Sequence, residues 1–231
     1  MSQASEQEIR GQIYEHFAQI GKALGSASRL ELLELLAQSE YTVESLAQEA
    51  GLSVANTSQH LKKLRNARLV AVRREGVVAY YSLADEAVFD VWHKLRQLGE
   101  GRIVEIAWLA NQLLPDRHSE ATLTCGELLN LLDEEGVTIL DVRPKIEYQA
   151  GHIRGACSIP FEELDSRYQE LNLNHPIVVY GRGPYSTLAY HAVQFLRAKG
   201  LSARRLVSGL PEWRANGFPI AASSPAAQPP I

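Results

Sequence analysis

"VVYGRGPYSTLAYHAVQFL", residues 178 to 196, starts as an apolar β-type run, breaks at Gly181-Arg182-Gly183-Pro184-Tyr185-Ser186, and resumes with helical periodicity. A strand that runs through a short loop into a helix is the building unit of a parallel sheet covered by helices. Backbone N–H groups converge where such a loop meets its helix, so the position suits a nucleophile or a bound anion. The first loop residue, Gly181, has no side chain. Flanking segments repeat the alternation. "TCGELLNLLDEE" is helical with Thr124 and Glu127 spaced as a capping box, "VTILDV" and "PIVVYG" are strands, and "TLAYHAVQFLRAKG" is a helix that stops at a glycine. The second half is therefore α/β with a mostly parallel sheet.

The first half follows a different rhythm. Ile9, Ile13, Phe17, Ile20 and Leu24 form one stripe of an amphipathic helix. "SRLELLELLAQ" continues as a second helix with Leu30, Leu33, Leu36 and Ala37 inward. Thr42 is placed to cap a third helix that Gly51 ends, and Ser53 to cap a fourth through Leu64, with Val54, Leu61 and Leu64 on its buried face. "LVAVRREGVVAYYSL" reads as a hairpin with its tip at Glu75–Gly76. One long helix is expected from Asp85 to Leu113, carrying Val88, Val91, Trp92, Leu95, Leu98, Ile106 and Leu113. The polar segment with Pro115 breaks this pattern and gives domains at 1–112 and 121–220, a linker at 113–120, and an Ala/Ser/Pro tail at 221–231 that is expected to be disordered.

Charge is segregated. The 231 residues carry a net charge of −4, yet no acidic residue lies between Glu49 and Glu75, where Lys62, Lys63, Arg65, Arg68, Arg73 and Arg74 cluster with His60. A basic island in an acidic chain marks a polyanion partner. Two short helices and a hairpin in that order make a winged helix-turn-helix. Asn56, Ser58 and Gln59, near the N-terminus of the second helix, are short polar groups suited to base edges, while Lys62, Lys63, Arg73 and Arg74 suit phosphates. A solvated charged face would explain one basic helix, but not the agreement of helix order, caps, wing and charge. No apolar run approaches a membrane span, "MSQASEQEIR" lacks the features of a signal peptide, and two cysteines are too few for a disulfide framework. The expectation is a cytoplasmic protein without membrane contact.

"ALGSASRLELLELL" and "SLAQEAGLSVANTSQHLKKLRNARLVAVRREGVVAYYSL" resemble the ArsR/SmtB family of bacterial repressors over residues 8–112, with Ser58–Leu61 and the wing as the most specific parts. The resemblance implies a homodimer formed by the first and last helices on double-stranded operator DNA. Metal-sensing members have a thiolate pair on the helix matched here by "TVESLAQEA", which contains no cysteine. Asp90 and His93 have a ligand-like spacing, but Val104 and Glu105 occupy the region of the second pair, so no metal and no cofactor are expected.

"ILDVRPKIEYQAGHIRGACSIP" and "SGLPEWRANGFPI" resemble the rhodanese family over residues 120–220. The resemblance places a sulfur-carrying cysteine at the first loop position, occupied here by Gly181. Ser186 stands where thiosulfate-using members have arginine, and Pro184 removes one N–H from the cradle. Arg182 is left open, as an anion contact or an exposed loop cation. Cys125, at a helix N-terminus, and Cys157, expected to be half-buried, are the candidate redox residues. His152 and Asp141 read as scaffold. The joint reading is a multidomain chain, an all-α winged helix-turn-helix with a β-hairpin wing followed by an α/β rhodanese-like domain. Its function would be transcriptional regulation under a sulfur-species or small-anion effector. The alternative, a sulfurtransferase with an accessory DNA-binding domain, requires cysteine at 181, and Gly181 reads either as natural or as a replaced cysteine.

Overall fold

The computed structural model describes residues 3–117, 119, 122–133 and 136–222. The chain forms two compact units, Met1–Lys94 and Leu95–Ile231, and the division falls within a helix. The first unit contains α1 (Gln3–Leu24), α2 (Ala27–Leu36), α3 (Val43–Glu49), α4 (Val54–Asn66), the hairpin β1 (Val70–Glu75) and β2 (Val78–Leu83), and the start of α5 (Glu86–Arg102).

Local chemistry sets these boundaries. The Thr42 hydroxyl accepts the Ser45 N–H at 3.2 Å while the Ser45 hydroxyl accepts the Thr42 N–H at 3.1 Å, a reciprocal cap at the start of α3. Gly51, at φ 62°, turns the chain after α3, and Ser53 caps α4 by accepting the Asn56 N–H at 3.3 Å. Gly76, at φ 59°, occupies the hairpin tip. Buried Arg29 donates to the carbonyl oxygens of Ala23 and, at 2.8 Å, of Lys22, which satisfies the last carbonyls of α1. Leu32, Leu33, Leu46, Leu61 and Leu64 form the centre of the core. Two expectations change. Val54 is exposed, because it is the first residue of α4 and the buried stripe begins one turn later at Thr57. Leu30 is half-buried, whereas Leu32 and Leu35 are buried. Ile9, Ile13, Phe17 and Ile20 of α1 are all exposed.

The second unit begins inside α5 and continues through α6 (Val104–Leu113), β3 (Thr122–Leu123), α7 (Cys125–Asp133), β4 (Thr138–Asp141), α8 (Lys145–Ala150), β5 (His152–Ile153), β6 (Cys157–Ser158), α9 (Leu164–Arg167), β7 (Ile177–Tyr180), α10 (Thr187–Ala198), β8 (Ala203–Leu206), α11 (Leu210–Ala215) and β9 (Ile220–Ala221). The long helix expected over 85–113 is broken. Ile103, at φ −110° and ψ 100°, is extended between α5 and α6. Gly99, Gly101 and β-branched Ile103 all weaken helical persistence there. Leu114 is fully buried, so the start of the expected linker is packed, while His118 and Glu120 lie outside the described residues. β9 carries the fold one residue beyond 220, and residues 223–231 of the expected tail also lie outside.

The central sheet has the order β3-β8-β7-β4-β6, with every neighbouring pair parallel, and β5 pairs antiparallel with β9 apart from it. Alternate residues of the buried strands feed two cores. Leu140 and Val179 join Ala192 and Val193 of α10, whereas Ile139, Val178 and Tyr180 join Leu128 of α7 and Trp213 of α11. This arrangement puts Tyr180 at the end of the central strand, directly before the loop.

Charge is buried at that end. Asp141 and Arg143 are both inaccessible to solvent, and the guanidinium donates to both carboxylate oxygens, at 3.0 Å from Nε and 2.6 Å from Nη2, and to the Gly151 carbonyl at 2.7 Å. The Tyr180 hydroxyl donates to Asp141 and accepts the Ile153 N–H at 3.2 Å. Removing one charge of such a pair strands the other without water. Asp141→Asn is expected to lower unfolding free energy by about 3–5 kcal/mol in urea titration.

Candidate DNA-binding surface and candidate anion loop

The expected base-reading and phosphate-binding residues fall on two elements of the first unit. α4 buries Thr57, Leu61 and Leu64 and thereby turns Asn56, Ser58, Gln59, Lys62 and Lys63 outward, all of them exposed. His60 is half-buried. Burial, then the nearby charges of Arg29 and Lys63, pull its pKa below the usual value, so at neutral pH it offers an uncharged ring. On β1, Arg73 and Arg74 point to opposite sides of the strand. Arg73 is tied to Glu40 at 2.9 Å and Glu75 at 3.1 Å and lies over the Tyr80 ring. Its charge is thus shared with two carboxylates. Glu40, 33 positions away in sequence, was not legible as its partner.

Gly181 to Ser186 connects β7 to α10, as the sequence predicts, and the loop turns on itself with the Ser186 N–H donating to the Gly183 carbonyl at 3.0 Å. Pro184 has no N–H, so neither it nor the Ser186 N–H, already bonded within the loop, is an open donor to a ligand. A Cβ built on Gly181 would lie 2.1 Å from the Ser186 hydroxyl oxygen and 2.9 Å from its Cβ. Ser186 therefore fills the space in front of residue 181.

Arg182 is half-buried and paired with a carboxylate. Its Nε and Nη2 donate to Glu147 Oε1 at 2.7 and 2.6 Å, and Glu147 is fully buried. Gly209 supports the loop from below, because a Cβ there would come within 2.3 Å of the Arg182 carbonyl oxygen. The sequence signal for this residue is the three-residue spacing from Gly209 to Glu212. The Glu212 carboxylate accepts the Gly209 N–H at 2.9 Å as a helix cap. Tyr185, half-buried, donates its hydroxyl to Glu100 Oε1 at 2.5 Å.

The remaining candidates lie elsewhere. Cys125 opens α7 behind the Thr124–Glu127 capping box, and burial pushes its thiol pKa up, with the nearby Glu212 carboxylate acting in the same direction. Cys157 is exposed rather than half-buried, since β6 lies at the sheet edge. His152 stacks on Tyr148 at 3.8 Å and its Nδ1 bonds the Tyr148 carbonyl oxygen, a packing role. His93 stacks on Phe89, and among the described residues no three His, Cys, Asp or Glu side chains converge as a metal site. Among the same residues no helix is long and apolar enough to cross a membrane.

Two family models match the chain, the bacterial regulatory protein arsR family over residues 26–72 and the rhodanese-like domain over residues 124–216. HTH-type transcriptional regulator Rv0324 of Mycobacterium tuberculosis is 37% identical over 222 residues, covering 96% of this chain and 97% of that protein. Among solved structures, the homodimeric winged helix-turn-helix DNA-binding domain Mb0332 from Mycobacterium bovis is 33% identical, covering 41% of this chain and 87% of that one with a TM-score of 0.39. A rhodanese-related protein from Thermoplasma volcanium is 25% identical, covering 43% and 96% with a TM-score of 0.39.

The steric closure at Gly181 has a measurable cost. Gly181→Cys is expected to destabilise the chain by about 1–3 kcal/mol through overpacking against Ser186. Combining it with Ser186→Gly should recover most of that loss in chemical denaturation, because both close contacts are to Ser186. Ser186 precedes α10 without making a side-chain cap, so its own removal costs little.

Proposed function

Since this chain belongs to the ArsR family of bacterial regulatory proteins and carries a rhodanese-like domain behind the DNA-reading one, we propose that it is a homodimeric repressor whose second domain binds a small anion or sulfur species as effector. The observation that carries the DNA-binding part is the outward face of α4. Short polar groups lie at its N-terminal end, lysines lie one turn on, and no carboxylate occurs from residue 50 to residue 74. Asn56, Ser58 and Gln59 would meet base edges, and Lys62, Lys63 and Arg74 would meet phosphates. Arg73 would contribute less, because Glu40 and Glu75 already compensate it.

Dimerisation is supported by apolar surface. Ile13, Tyr14 and Phe17 of α1 and Leu98 of α5 are exposed, and burying such side chains is worth about 1.5–3 kcal/mol each. The loop supports recognition rather than sulfur transfer. A covalent sulfur carrier needs a thiolate, and Gly181 provides no nucleophile. Ser186 blocks the space where a side chain at 181 would begin, which weighs against the sulfurtransferase reading.

Binding to duplexes selected by the protein from a random pool tests this reading. Lys62→Ala or Arg74→Ala should weaken binding to all sequences and flatten the dependence of log K on log salt by about 0.9 per lost phosphate contact. Gln59→Ala or Asn56→Ala should instead reduce discrimination between selected and random duplex by about 1–3 kcal/mol. Uniform effects from all four substitutions would refute the assignment of α4.

A further inference from the structure

The loop Gly181–Ser186 is held at two points by one face of α5. Arg96 and Glu100 lie four residues apart, one helical turn, and so share that face. Glu100 Oε1 accepts the Tyr185 hydroxyl at 2.5 Å and Arg117 Nη2 at 3.2 Å, and the Arg117 guanidinium lies 5.0 Å from the centre of the Tyr185 ring. Arg96 Nη2 donates to Glu212 Oε1 at 2.7 Å with both side chains buried, and the other oxygen of Glu212 holds the Gly209 N–H at 2.9 Å. Gly209 is the residue against which the Arg182 carbonyl packs. The first contact reaches the loop through a side chain and the second through its backbone support. All of these residues belong to the second unit, and α5 is covalently continuous with the first.

We infer that Tyr185 and Glu100 form a latch through which α5 senses the state of the anion loop. The inference rests on the proposed regulatory reading. Tyr185 sits between Pro184 and Ser186, so any species that enters the loop and moves its backbone must move the phenol. The phenol hydroxyl has its partner on α5. Glu100 is the hub, since a single carboxylate oxygen receives both the loop tyrosine and Arg117. A loop movement that withdraws Tyr185 leaves Glu100 to Arg117 alone and alters what holds the last turns of α5. Because linkage is reciprocal, DNA bound by the first unit must then change the loop as much as the loop changes DNA affinity.

The test uses the full chain, a duplex it selects from a random pool, and Tyr185→Phe, which keeps the ring under Arg117 and removes only the hydroxyl. In the parent protein, DNA is expected to change amide hydrogen exchange in peptides spanning 181–190. In Tyr185→Phe that response should disappear and DNA affinity should change by at least about fivefold, the lower end of ordinary coupling between sites. Should Tyr185→Phe melt at a lower temperature, Glu100→Gln, which keeps the shape and removes the charge, is read in the same way. Equal affinity within twofold and an unchanged loop response would overturn the latch while leaving the regulatory reading intact. Absence of DNA binding by the parent protein would overturn both.

Discussion

At the carboxyl ends of β4 and β7, Asp141 and Arg143 lie out of reach of water, and the guanidinium spans both carboxylate oxygens and the Gly151 carbonyl. A desolvated pair of this kind tolerates little displacement, because any lost hydrogen bond leaves a buried charge exposed to a low dielectric. Asp141 also accepts the hydroxyl of Tyr180, the residue immediately before Gly181. Tyr180 in turn accepts the Ile153 N–H and so joins the strand end to β5. The starting point of the loop is therefore set by electrostatics beneath it. The polypeptide from 181 to 186 has freedom only in how it leaves Tyr180.

Three further constraints shape that departure. Glu147 captures Arg182 from the α8 side, Gly209 admits the Arg182 carbonyl where any side chain would block it, and Glu100 receives Tyr185. Ser186 fills the space in front of Gly181. The loop thus keeps the strand-to-helix position of an anion-binding turn, while its one guanidinium is committed to a neighbour and its first residue is bare. A bare first residue offers no side-chain nucleophile for covalent chemistry, on which the proposed recognition role rests. They also tie the loop to α5, the helix that leads out of the DNA-reading unit.

Features fixed by neighbouring residues were legible in the sequence. The caps at Thr42, Ser53 and Thr124, the turn at Gly51, the hairpin tip at Gly76 and the passage from β7 through a loop to α10 all follow from side-chain chemistry within four or five positions. Features fixed by distant partners were not. Arg182 meets a carboxylate 35 positions away, Tyr185 one 85 positions away, and Arg73 one 33 positions away. No periodicity reports such pairings. The break at Ile103 is hidden by apolar periodicity that continues on both sides of it, and the exposure of Cys157 depends on its strand being at a sheet edge, which no local pattern encodes. The basic face of α4 was readable, since a charge imbalance needs no tertiary information.

The central claim is that the second domain answers its effector without carrying sulfur. The most direct measurement is thiocyanate formation from thiosulfate and cyanide in the presence of the purified full-length chain, compared with a protein-free control. The account predicts equal rates, because Gly181 provides no thiolate in the loop and the Cys125 thiol is buried. A rate proportional to protein concentration and above the control would contradict it and would make a cysteine of this chain a catalyst.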